Sequence, residues 1–191
     1  IDDQSRPKRQ VEIWPLPLRE GMAPKFDPRK MESLGPDREA HLWNRLVTDE
    51  RYREEARGMW VLGTKNSAPP PGPDGKPPQM PDEAINAVIA EVKASAEKIR
   101  ARGGEVAFVR FPYAGPYLAV EDGAFPRERF WDRLLKETES AGVFWQDHNA
   151  LQGYDLPEWS HLAPPDNAPF TKALVPILYA ELEKKGRWPH R

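Results

Sequence analysis

The sequence predicts a three-layer α/β/α domain on a mainly parallel sheet. Two observations carry that expectation. Short apolar runs alternate with long amphipathic segments along the 191 residues, the strand-helix order that a parallel sheet covered on both faces requires. EVAFVRFP, residues 105 to 112, is β-branched and aromatic almost without interruption, as a strand buried on both faces is. The length fits one domain, 1–191, with a substantial core.

Taken in order, residues 1–35 read as an irregular N-terminal segment. Within it VEIWPLPL, 11 to 18, is at most an edge strand, because Pro15 and Pro17 cannot donate to a ladder. Residues 37 to 56 read as a helix striped by Leu42, Leu46 and Tyr52. GMWVLGT follows as a strand over 59 to 63. APPPGPDGKPPQMP, 68 to 81, holds seven of the 22 prolines and reads as one exposed Pro-rich loop. A helix over 82 to 102 is expected from Ile85, Val88, Ile89, Val92, Ala96 and Ile99, with Asp82 as N-cap and Gly103-Gly104 as its stop. A strand at 106 to 111, a helix at 127 to 141 burying Phe130, Trp131, Leu134 and Leu135, a strand near 143 to 146 and a helix at 168 to 185 complete the set. No internal repeat is visible.

Composition narrows the function classes. A net charge of −2 argues against nucleic acid as a partner, and the absence of cysteine removes disulfides, thiolate chemistry and cysteine metal sites. No apolar run has transmembrane length. The sequence begins at Ile1 and not Met, so any membrane anchor is expected in a missing upstream segment. No cofactor motif is present. His148, Asp147, Glu158 and His161 fit no ligand spacing, so no metal is expected.

In a parallel sheet, ligands gather at the carboxyl ends of the strands. That rule selects the loops starting at Gly63, Pro112 and Asp147. The third contains EWSHLAPPDNAPFTKAL, in which Glu158 stands three residues ahead of His161. An acid so placed can accept a hydrogen bond from one ring nitrogen and leave the other to take a proton; the plainer role is capping of loop backbone. Arg110, at the end of the best strand, can meet an anionic substrate or pair with a structural carboxylate. Tyr113 and Tyr117, in PYAGPYL, line or cover the same edge. Trp131, Phe144, Trp145 and Trp159 are expected as core and rim packing rather than a sugar platform.

A late Asp-x-x-His followed by Leu and a helix closes the SGNH (GDSL-type) hydrolases, and SHL…DNAPFTKAL resembles that block in order and setting. GEVAFVRFP, an acidic and proline-marked turn, and RERFWDRLL resemble the C-terminal half of the SGNH-like domains of bacterial envelope proteins that handle O-acyl groups. The likeness covers roughly residues 58 to 185. It implies an SGNH/flavodoxin-like sheet, His161 as general base and Glu158 as its orienting acid where the family has Asp, with Asp155 as the other candidate. Gly63 and Asn66, in GTKN, stand for the oxyanion block with one residue too many between them. The family's Gly-Asp-Ser nucleophile block occurs nowhere in the sequence. Of six serines, Ser67 alone follows a predicted strand end near the crevice.

Two functions follow from the resemblance. The one favoured by the missing nucleophile is a non-catalytic binding or assembly subunit, meeting a protein partner through loop 68–81 and exposed Trp residues. The alternative is an active SGNH-type esterase or O-acyltransferase on an acylated carbohydrate or lipid, its serine upstream of Ile1. Either implies the bacterial envelope or periplasm.

Overall fold

The computed structural model describes residues 30–34, 38, 40–67 and 79–186, with the side chains of 62 and 64–67 excepted. The chain divides into two compact units, Ile1–Lys30 and Met31–Arg191, and the elements described below lie in the second. Two three-residue strands, β1 (Glu32–Leu34) and β2 (Ala40–Leu42), pair antiparallel with Ser33 opposite His41. Helices α1 (Asn44–Thr48) and α2 (Glu50–Ser67) follow. Asp49 starts α2, its Oδ1 accepting the Tyr52 N–H at 3.0 Å, the hydrogen bond an N-cap makes to the third helical residue. That bond and Arg45 hold its carboxyl below the usual range. Leu42, Leu46, Tyr52 and Ala56 close a first core cluster.

Helix α3 (Asp82–Arg100) buries Ile85, Ile89 and Ala96. Asp82 is its first helical residue rather than its cap, and it pairs with Arg129 at 2.7 Å. The helix ends at Arg100, and Gly103 just beyond it takes the left-handed φ of 81°. Strand β3 (Ala107–Arg110) pairs in parallel with β4 (Ala141–Phe144), Val109 facing Val143. Between them run α4 (Gly115–Ala124) and α5 (Trp131–Thr138). Helix α5 lies directly on the β4 backbone: a Cβ on Gly142 would sit 2.5 Å from a Leu135 methyl. Arg100 ties the layers together, reaching Glu105, the Thr138 carbonyl and the Ser140 hydroxyl at 2.7 to 2.8 Å. Helix α6 (Pro164–Lys184) accommodates Pro164 and Pro165 in its first turn, where no intrahelical N–H is needed. Its Phe170 and Leu174 join Val143 and Leu151 in a second core cluster.

This is not the expected three-layer sandwich. The described residues are mostly helical, and their strands form two separate two-stranded sheets. The decisive error lies at 59 to 63, which is helix and not strand. A short apolar run cannot be told from a buried helical segment by its own pattern. Tyr52, Ala56 and Trp60 recur every four residues, so the run continues the α2 stripe. The expected helix over 37 to 56 is overturned at its start, where β2 intervenes. Helix α4 lies where only a loop was expected. VEIWPLPL and most of loop 68–81 fall outside the described residues, and no described helix is long and apolar enough to cross a membrane.

Candidate functional site

The carboxyl ends of β3 and β4 lead into the site. Strand β3 runs on through Phe111, Pro112 and Tyr113. Strand β4 continues through two tight 3-10 turns, Trp145–Asp147 and Asn149–Leu151, into the loop that precedes α6. This loop is pinned along its length. The Asp155 N–H donates to Asp166 Oδ2 at 2.8 Å, and the Ala163 N–H to the Asp155 carbonyl at 2.9 Å. Arg57 Nε donates to the Pro157 carbonyl at 2.7 Å, and the Ala114 N–H to the Trp159 carbonyl at 2.9 Å. Trp159 takes a φ of 76°, a left-handed conformation that a bulky residue adopts only when its surroundings enforce it. Gly115 lets the chain pass close to that indole, because a Cβ there would lie 2.7 Å from Trp159 Nε1.

The turn at Trp159 folds His161 back onto Glu158. Glu158 Oε1 accepts the His161 backbone N–H and ring Nδ1–H, both at 2.7 Å. Its Oε2 accepts the Ser160 hydroxyl at 2.8 Å and the Trp60 indole N–H at 2.7 Å. The Glu158 side chain is 0% exposed and that of His161 45%. Burial alone raises the Glu158 pKa, but the hydrogen bonds from His161, Ser160 and Trp60 outweigh it and hold the carboxyl below its usual value. The Glu158 hydrogen bond lifts His161 above its usual value against the opposing effect of burial, and the charges of Glu158 and Glu32 add to it. An ionised carboxylate is acceptor-only, so Nδ1 carries the proton and Nε2 is the nitrogen left to act as base. Ser160 Oγ lies 3.0 Å from Nδ1, yet its own proton goes to Glu158, so the imidazole does not activate it. Among the described residues none hydrogen-bonds Nε2.

His161 lines a cleft of about 370 Å³ together with Glu32, His41, Phe111, Tyr113 and Ser160. A larger cavity of about 640 Å³ lies between α3 and α5. Its two arginines, Arg110 and Arg127, are committed to Glu121 and Asp147 at 2.7 and 2.6 Å; Asp122 and Glu128 also line it, and no histidine does.

The other candidates separate. Asp155 engages the loop through its backbone and leaves the imidazole to Glu158. Arg110 stacks 4.7 Å from the Tyr113 ring. Tyr113 lines the cleft, while Tyr117 stands behind it, 5.1 Å from Tyr113 and 5.6 Å from Trp60. Burial, then the charge of Glu121, lifts the Tyr117 pKa above its usual value. Gly63, Asn66 and Ser67 lie in α2, not at a strand end, and the side chains of Asn66 and Ser67 are outside the described set. Asp147 is held below the usual carboxyl range by Arg127, and no described group of three metal-ligating side chains is placed to hold an ion. Sequence reasoning missed Trp60 and the β1–β2 wall of the cleft. The stripe Tyr52, Ala56, Trp60 and the turn dipeptide Gly35-Pro36 were the available signals.

The paired shifts give a signed pH dependence. The lowered Glu158 pKa contributes stability above the unfolded carboxyl value, and that contribution is lost as pH falls through the folded one. The raised His161 pKa contributes stability below the unfolded value of about 6.5, lost as pH rises through the folded one. The stability difference between wild type and His161→Gln is therefore expected to be largest between about pH 4.5 and 6.5 and to shrink on both sides. Solvent at the half-exposed ring keeps it modest. Urea midpoints across pH 4 to 9 measure it.

No family model, no curated protein and no solved structure matches the chain.

Proposed function

We propose that the chain carries the base-and-acid part of an SGNH-type acyl-transfer site acting on short O-acyl esters. One observation carries the reading: a buried carboxylate with four donors fixes the Nδ1–H tautomer of a cleft histidine and leaves Nε2 as the basic nitrogen. In the reaction Nε2 removes the proton of a serine hydroxyl as its oxygen attacks the ester carbonyl, then returns that proton to the departing alkoxide. Water is deprotonated the same way to release the acyl group. Glu158 stabilises the imidazolium in both steps. The reaction requires a serine hydroxyl at Nε2, and no described serine hydrogen-bonds that nitrogen.

Among the cleft's lining residues, Leu42, Phe111 and Leu162 are apolar and suit a short acyl group, and Glu32, His41 and Asn167 are polar and suit a hydroxyl-bearing alcohol. The likeness of SHL…DNAPFTKAL to the SGNH closing block supports an acylated carbohydrate or lipid of the bacterial envelope as the substrate. A non-catalytic binding subunit is the second reading, favoured by the lack of a serine hydroxyl at Nε2 among the described residues. The test is p-nitrophenyl acetate hydrolysis by wild type and His161→Ala, with fluorophosphonate labelling to detect an activated serine. Turnover that disappears in the variant supports acyl transfer. Equal background in both, with no labelling, contradicts it and supports binding.

A further inference from the structure

Three of the four donors to Glu158 come from its own loop and move with it. The Ser160 hydroxyl and the two His161 donors lie within three residues of the carboxylate. Trp60 is different: it belongs to α2, 98 residues away in sequence, and places its indole N–H 2.7 Å from Oε2. Arg57, three residues earlier on the same helical face, holds the loop backbone through the Pro157 carbonyl and stacks 5.3 Å from the Trp159 ring. Helix α2 thus anchors the backbone with one residue and the carboxylate with another.

We propose that Trp60 is a positioning residue for the histidine of the cleft: its N–H locks the carboxylate rotation that presents Oε1 to His161 Nδ1. The inference rests on the general-base reading of that pair but is tested apart from it. Without the indole N–H, Oε2 keeps a single donor, Ser160, which can follow the carboxylate as it turns. In a buried site that rotation trades the Nδ1 bond away, so part of the population loses the fixed tautomer. The indole is itself steadied by Tyr117, which packs on Tyr113 in the cleft wall. The substrate wall and the orienting acid therefore share one aromatic support.

Trp60→Phe keeps an aromatic ring against Tyr117 and removes the indole N–H together with part of the ring volume. In wild type the His161 Nδ1 proton is expected as a downfield, slowly exchanging NMR signal. In Trp60→Phe it is expected to broaden and exchange with water, and kcat to fall about tenfold with KM unchanged, the lower end of what loss of an orienting partner costs. An Nδ1 proton and a His161 titration unchanged in the variant would overturn the proposal, whether or not any ester is turned over. Absence of turnover in wild type speaks against the acyl-transfer reading alone. Should Trp60→Phe not fold, wild type still decides: the Trp60 indole proton must shift with the midpoint of the His161 titration, and an indole signal indifferent to it overturns the proposal.

Discussion

Replacing Glu158 with alanine is expected to lower the unfolding free energy by about 2–4 kcal/mol, the cost of stranding several part-buried donors at once. The residue accepts four hydrogen bonds with no exposed side-chain surface, so its loss strands the Trp60 indole, the Ser160 hydroxyl and the His161 main-chain N–H together. A donor left unsatisfied away from water costs about 1–3 kcal/mol, and the partial exposure of Trp60 and Ser160 discounts that cost. Glu158→Gln keeps the volume and one acceptor oxygen and should recover part of the loss, while turning an amide N–H against existing donors. Urea unfolding at pH 6 measures both. A loss below about 1 kcal/mol for the alanine variant, the range of an ordinary surface change, would contradict the four-donor description.

The second large effect is on rate. His161→Ala is expected to reduce ester turnover by about 10²–10⁴-fold, the contribution of a positioned general base, with only a modest change in unfolding midpoint because the ring is half-exposed. Loss of rate and loss of stability thus fall on neighbouring residues. Glu158 carries the structural burden, and His161 the chemical one. A histidine variant that unfolds as readily as the Glu158 variant would make the pair a loop staple instead.

That division was only partly legible in the sequence. The three-residue spacing of Glu158 and His161 is local, and the turn at Trp159, with its left-handed φ, folds one side chain onto the other. β3 and β4 were legible for a similar reason: a β-branched, nearly continuous apolar run and its partner, separated by helical segments, suit a parallel pair. The helix at Asp82–Arg100 showed a full apolar stripe. What could not be read was how α2 ends. MWVLG has the composition of a strand, and only its phase with Tyr52 and Ala56 marks it as helix. Misplacing it supplied a third strand, hence the three-layer sheet, and hid Trp60, whose bond to Glu158 spans 98 residues and leaves no local trace. The β1–β2 pair was lost because three-residue strands are too short to show alternation.

The most direct test of the account is the protonation of the His161 ring, read by ¹H–¹⁵N NMR across pH 4 to 9 on the wild-type protein. A pKa above the usual value of about 6.5 is expected, with the neutral ring as the Nδ1–H tautomer and Nε2 unprotonated. A neutral ring protonated at Nε2, or a pKa at or below the usual value, would contradict it.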